Sequence, residues 1–156
     1  MDDSTTPPAN ALVVRAAEGE LIPAAGVDHL FKLTGQHTSD RLGLERFHLP
    51  AGVVGARPHI HRAHDESFYV LDGFLTVATD DGDVVLGAGD LAHAPRGSLH
   101  GFRNASTDTA ARVLCLYTPP GYEQYFRDVH AAVAAGEELT VDLLAELRSH
   151  YSTESR

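Results

Sequence analysis

From about residue 11 to Pro120 the chain never stays apolar for long. The segments "VDHLFKL", "LGLERFHL", "SFYVL", "FLTVAT", "DVVL", "LAHAP", "HGFRN" and "ARVLCLYTP" each have strand length, and turn residues divide them. "TDDGD" at 79–83 reads as a hairpin turn with Asp-Gly supplying the positive-φ positions. "GAGD" at 87–90 and "NASTDT" at 104–109 read as further turns. Fourteen glycines and eight prolines suit that punctuation. Many short strands at regular spacing predict an antiparallel sandwich or barrel. A chain of 156 residues fits one domain and can enclose a real hydrophobic core.

The two ends differ from this pattern. Residues 1–10, "MDDSTTPPAN", are expected to form a disordered polar tail. After the β region, 11–119, residues 120–156 read as a helical extension packed on the barrel. In "GYEQYFRDVHAAVAA", Tyr122, Phe126, Val129 and Val133 recur at helical spacing. In "TVDLLAELRSHY", Thr140 is an N-cap and Leu143, Leu144, Leu147 and Tyr151 share a face. Such stripes ordinarily pack on a core; a pocket lid or a dimer contact is the alternative. No internal repeat and no second-domain boundary stands out.

Charge and leader composition narrow the functional classes. With a net charge of −10 and no basic run, the chain has no electrostatic means of holding nucleic-acid phosphates. The first ten residues have no basic segment followed by an apolar one, so no secretory signal is expected. No apolar run approaches membrane-spanning length. The single Cys115 cannot form an internal disulfide, which is consistent with a reducing cytoplasm.

The chemistry concentrates in "PHIHRAHDESFYVLDG", residues 58–73. His59 and His61 are two apart, so in extended geometry both imidazoles leave the same face and can reach one point. Pro58 biases the residue before it towards that geometry. A tight turn through "RAHD" places Glu66 near the head of a new strand, with Phe68 and Val70 on its side and Ser67 and Tyr69 on the other. Two imidazoles and a carboxylate are ligands that borderline first-row metals accept. His100, after the Pro-x-Gly turn of "GDLAHAPRGSLHGFRN", is the fourth candidate. Alone, such a histidine is more often a surface or a satisfied core residue. His64 and His93 are further histidines that suit an outer layer of the site or a pocket wall, or simply a solvated or packed position.

These stretches resemble the two motifs of the cupin family. His59, His61, Glu66 and Gly73 match the first, His-x-His, three or four residues, Glu, six residues, Gly. Gly89, Pro95, Gly97, His100 and Asn104 match every position of the second. About fifteen residues separate Gly73 from Gly89, a short spacing similar to that of small microbial cupins. One position departs: the glycine before the first histidine is absent, Gly52 falling one position early and Gly55 late.

The resemblance implies an all-β fold, a single jelly-roll (double-stranded β-helix) barrel with two C-terminal helices. It also implies that His59, His61, Glu66 and His100 hold one divalent transition metal: Fe, Mn, Ni, Co, Cu or Zn. Four buried ionisable groups without such a partner would be costly. "HIHRAHDESFYVLDG" followed by "TPPGYEQYFRDV" is similar to the quercetinase-like branch. That branch implies a metal-dependent dioxygenase using O2 on a small aromatic or enolisable substrate chelated to the metal. Glu66 would both ligate the metal and accept a substrate proton. Alternatives are a non-oxidative isomerase, cyclase, lyase or decarboxylase on the same site, or a small-ligand-binding cupin without catalysis. By parity Phe68, Val70 and Phe102, with His64 and His93, would line the pocket. An open barrel must cover its edges, so a homodimer is expected.

Overall fold

The structure, a computed structural model, describes residues 10–156; the expected polar tail lies almost wholly outside the described residues. Eleven strands and three helices are present among the described residues. The strands are β1 (Glu20–Ala24), β2 (Val27–Leu33), β3 (Gly43–Leu49), β4 (Val54–His61), β5 (Asp65–Asp72), β6 (Leu75–Thr79), β7 (Gly82–Leu86), β8 (Leu91–Ala94), β9 (Leu99–Arg103), β10 (Ala111–Thr118) and β11 (Thr153–Ser155). The helices are α1 (Gly35–Thr38), α2 (Glu123–Ala134) and α3 (Val141–Ser149). No helix among the described residues is long and apolar enough to cross a membrane.

The strands form two sheets, ordered β1-β2-β3-β10-β5-β8 and β11-β4-β9-β6-β7, and every pairing is antiparallel. The period-two alternation of the sequence sorts their residues. On β10, Ala111, Val113, Cys115 and Tyr117 are buried while Arg112 and Thr118 are exposed. On β5, Glu66, Phe68 and Val70 are buried and Tyr69 and Leu71 are exposed. The inner faces join in one core around Phe47, Leu49, Phe68, Val70, Leu75 and Val113. Continuous burial of this kind supplies most of the favourable free energy of folding. This is the jelly-roll barrel with C-terminal helices that the motifs imply.

Two glycines explain how the chain reaches the site. Gly73 ends the first motif at φ 75°, and a Cβ there would sit 2.4 Å from the Ala110 carbonyl oxygen. Only glycine meets both conditions. Gly52 forms the turn before β4 at φ 75°, whereas Gly55 makes room: an added Cβ would fall 2.1 Å from the Phe102 ring. The displaced glycine of the first motif is thus divided between a turn and a packing contact.

Several details correct the sequence reading. The β6–β7 hairpin closes through Asp80-Asp81, with Thr79 paired to Gly82, and the positive φ falls on Gly82 alone. Both C-terminal helices form, and the Thr140 side chain accepts a hydrogen bond from Leu143 N at 3.1 Å. The buried face of α2 is rotated from the expected stripe: Tyr125, Val129 and Ala132 are buried, and Val133 is exposed. On α3 the leucines are only half-buried, and the one fully buried side chain is Arg148. After α3 the chain adds β11 to the edge of the second sheet, with Thr153 opposite His61 and Ser155 opposite His59.

Candidate metal centre

Three strands from the two sheets deliver the four candidate ligands. His59 and His61 end β4, and both are buried, as the spacing of two requires. His100 on β9 lies directly opposite His59. Glu66 comes from β5 in the other sheet, so the cluster spans the barrel interior. One ligand atom from each of the four residues lies within 4.8 Å of all the others.

The hydrogen bonds around the imidazoles determine which nitrogens face inward. His59 Nδ1 donates to the Arg57 carbonyl at 2.7 Å, and His100 Nδ1 donates to the Ser98 carbonyl at 3.2 Å. A carbonyl can only accept, so each ring carries its proton on Nδ1. His61 Nδ1 meets Thr153 Oγ1 at 2.7 Å, and the same hydroxyl donates to the Tyr151 carbonyl. The hydroxyl proton is spent there, so Oγ1 accepts from His61. All three Nε2 lone pairs therefore converge: His59 and His61 are 3.0 Å apart, and Glu66 lies 2.9 Å from His61 and 3.2 Å from His100. A shared proton satisfies one such pair; a cation satisfies all four ligands at once. Holding each ring by its outer nitrogen is how metal-ligating histidines are usually oriented.

For His59, His61 and Glu66 the electrostatics agree with this arrangement, whereas for His100 they favour the protonated ring. Burial, then the charges of His61 and His100, drive the His59 imidazole down to about 3. Burial also lowers His61, although Glu66 pulls against it. Glu66 ends well below the usual carboxylate range. Burial, its largest single influence, pushes it up, but His61, His100 and His64 together outweigh that. Burial presses His100 down, but the hydrogen bond and charge of Glu66 carry it upward. Neutral imidazoles and an ionised carboxylate are the forms that bind metal. The donor set of three nitrogens and one oxygen fits a borderline divalent ion.

The remaining candidates separate. His64, in the turn between β4 and β5, is buried and places Nε2 3.1 Å from Glu66 Oε1, so it adjoins the cluster. Phe102 lines a cavity of about 440 Å³ that His59 and Glu66 also reach. Phe68 and Val70 share the face of Glu66 but are sealed into the core and do not line that cavity. His93 is a correction. It pairs with Ser67 in the β5–β8 register, points outward, and bonds Ser67 Oγ at 2.8 Å; Ala94 takes the inward place opposite Glu66.

The cavity is walled by two residues of the first C-terminal stripe, Tyr122 and Phe126, and by Tyr125, which the sequence did not single out. All three come from the start of α2, and the Tyr122 ring meets His61 edge-on at 4.7 Å. Burial raises the Tyr117 and Tyr122 hydroxyls well above their ordinary value, so both remain protonated. A second polar cluster borders the same space: His29 Nδ1 lies 2.7 Å from Glu45 Oε2, and Tyr117 donates to Glu45 Oε1 at 2.5 Å. His29 stacks on Phe126 at 3.8 Å. Its signal lay in the alternation Val27-x-His29-x-Phe31 and Glu45-x-Phe47-x-Leu49, which puts polar groups at inward positions. A separate, more open hollow of about 550 Å³ near Lys32 and Gln36 contains none of the four candidate ligands.

Comparison with known proteins bears on this geometry. The Cupin domain family matches residues 45–117, the stretch that contains all four residues. Quercetin 2,3-dioxygenase of Bacillus subtilis (strain 168) is 35% identical over 69 residues, covering 44% of this chain and 20% of that protein. Quercetin 2,3-dioxygenase of Aspergillus japonicus is 29% identical over 102 residues, covering 62% of this chain and 29% of that protein. The chain thus spans less than a third of either curated relative. Among solved structures, that of a predicted oxalate decarboxylase from Thermotoga maritima superposes with a TM-score of 0.62 at 25% identity, over 69% of this chain and 99% of that one. With its two facing sheets, both histidine motifs and these relatives, the chain belongs to the cupin family as a small cupin with quercetinase-like relatives.

Proposed function

We propose that the protein is a metal-dependent dioxygenase of the quercetinase kind, acting on a small aromatic or enolisable substrate that chelates the metal through neighbouring oxygens. The observation that carries this reading is one juxtaposition: four convergent ligand atoms open onto an aromatic-walled cavity of about 440 Å³. His59, His61, Glu66 and His100 hold the ion. A divalent transition metal there supplies a Lewis acid that orients the chelating oxygens and, where redox-active, a means of engaging O2.

The chain's own residues do the rest. Glu66, ionised and buried, accepts the proton of a chelating hydroxyl at the oxygen it shares with His64. Thr153 keeps His61 in the tautomer that presents Nε2. Phe102, Tyr122, Tyr125 and Phe126 wall the chamber and exclude water from a planar ring. The test is oxygen uptake with a flavonol or catechol after reconstitution with each of Fe, Mn, Ni, Co and Cu. Turnover with O2 consumption supports the reading, and Glu66→Gln is expected to lower it at least tenfold.

A second reading uses the same site without oxygen, as an isomerase, cyclase, lyase or decarboxylase. The likeness to the Thermotoga structure, described as a predicted oxalate decarboxylase, favours keeping it. Turnover by the zinc form under anaerobic conditions selects it. Binding without turnover under any condition selects a small-ligand-binding cupin. The protein is further proposed to be a homodimer, because β7 and β8 leave open sheet edges. Light scattering after size exclusion tests this, and a monomer removes it.

A further inference from the structure

Arg148 is the one fully buried side chain of α3, a helix whose leucines are only half-buried. Burying a guanidinium is costly unless a carboxylate or a set of hydrogen bonds receives it. Among the described residues Arg15, Arg41, Arg46, Arg57 and Arg148 form no ion pair, and of these only Arg148 is buried. Its protein contacts are few, Ser155 Oγ at 3.5 Å and the face of Tyr125 at 5.7 Å, and since no buried side-chain nitrogen among the described residues lacks a partner, its remaining nitrogens open onto the cavity. The side chain lines the same cavity as His59 and Glu66.

Its position relative to the metal cluster follows from the register. Ser155, which the guanidinium reaches, lies opposite His59 in the β11–β4 pair. On the other side Tyr125 stacks on Tyr122 at 5.0 Å, and Tyr122 meets His61. The cation therefore stands at one end of an aromatic wall whose other end is the ligand set. Arg57 and Arg156, the latter paired with Glu154, line the cavity as well, and Glu66, already committed to the cluster, is the only acidic lining residue among the described residues. On a chain of net charge −10, a lining in which Arg57 and Arg148 stand outside any ion pair favours an anionic ligand.

We propose that the substrate is a hydroxylated aromatic carboxylate, and that Arg148 receives its carboxylate while the ring hydroxyls face the metal cluster. The planar guanidinium fork matches a carboxylate in two parallel hydrogen bonds. The aromatic wall between Arg148 and His61 accommodates the ring. Arg148 sets specificity: it contributes to binding the anionic group and leaves chelation by the hydroxyls unaffected. The proposal rests on the chelation reading above and narrows its substrate class.

The test is calorimetric binding to the zinc-loaded full chain. The probes are catechol, 3,4-dihydroxybenzoate and 3-(3,4-dihydroxyphenyl)propanoate. Wild type is expected to bind at least one of the two carboxylates tenfold or more tightly than catechol. Arg148→Gln removes that preference with the catechol Kd unchanged, and Arg148→Lys keeps part of it. If Arg148→Gln does not fold, Arg148→Met, which retains the side chain's length against Tyr125, replaces it. A merely structural arginine weakens all three ligands together or none. No carboxylate preference in wild type, or a preference that survives Arg148→Gln, overturns the proposal. If catechol itself does not bind, the chelation reading fails separately. 3-Phenylpropanoate, which has no chelating hydroxyls, then decides: binding that Arg148→Gln abolishes supports the proposal, and no binding overturns it.

Discussion

His61 Nδ1 donates to Thr153 Oγ1 across 2.7 Å, joining the first motif to a strand 92 residues later. The hydroxyl is itself fixed, because it donates to the Tyr151 carbonyl. Removing it leaves a buried N–H without an acceptor and frees the ring to turn. Thr153→Val, close in shape, is expected to weaken metal affinity by roughly 10–100-fold, the usual cost of losing such a support. Thr153→Ser is expected to restore most of it. Competition with a chromogenic chelator measures both, and equal affinity in wild type and Thr153→Val refutes the role assigned to β11.

Gly55 gives the Phe102 ring its place. Gly55→Ala puts a methyl group 2.1 Å from that ring, which lines the cavity and must then shift. Overpacking of this kind costs about 1–3 kcal/mol. Thermal unfolding is expected to show the lower stability, and binding of an aromatic ligand such as catechol is expected to weaken with it. Gly52→Ala keeps the Phe102 contact and tests the turn alone, since nothing lies within 4 Å of a Cβ there and only its φ of 75° resists.

Acid should destabilise the metal-free protein in a particular window. Folded His59 takes up its proton only near pH 3, against an ordinary value of 6.5 in the unfolded chain. Between those values the unfolded state binds more protons, so stability falls as pH drops from about 6.5 towards 3. Glu66, lowered in the folded state, adds a loss in the same direction below its ordinary 4.5. His100, raised, acts the other way: its contribution is present at low pH and is lost as pH rises through its folded value. The fall in Tm of metal-stripped protein on acidification is expected to be smaller in His59→Gln than in wild type. Parallel profiles contradict the assignment.

Much of this was legible in the sequence because β structure has period two. His59 and His61 had to share a face, and Glu66, Phe68 and Val70 had to share another. His93 was misplaced because "LAHAP" gives no cue to which parity faces in; small alanines take the inner positions there. β11 was invisible: Thr-Glu-Ser has no apolar alternation, and it becomes a strand only because β4 offers an open edge. Arg148 was hidden among the leucines of α3, where a charged residue reads as solvent-facing until the cavity beneath it is seen. The His29–Glu45–Tyr117 cluster could have been found, since each residue occupies an inward position on its strand.

The central claim is that His59, His61, Glu66 and His100 together hold a metal ion. It is tested most directly by elemental analysis of protein purified without a chelating tag, beside a His59→Ala/His61→Ala variant prepared identically. Stoichiometric divalent transition metal in wild type and near-complete loss in a variant that still folds is the predicted result. Equal metal in the two proteins would contradict it.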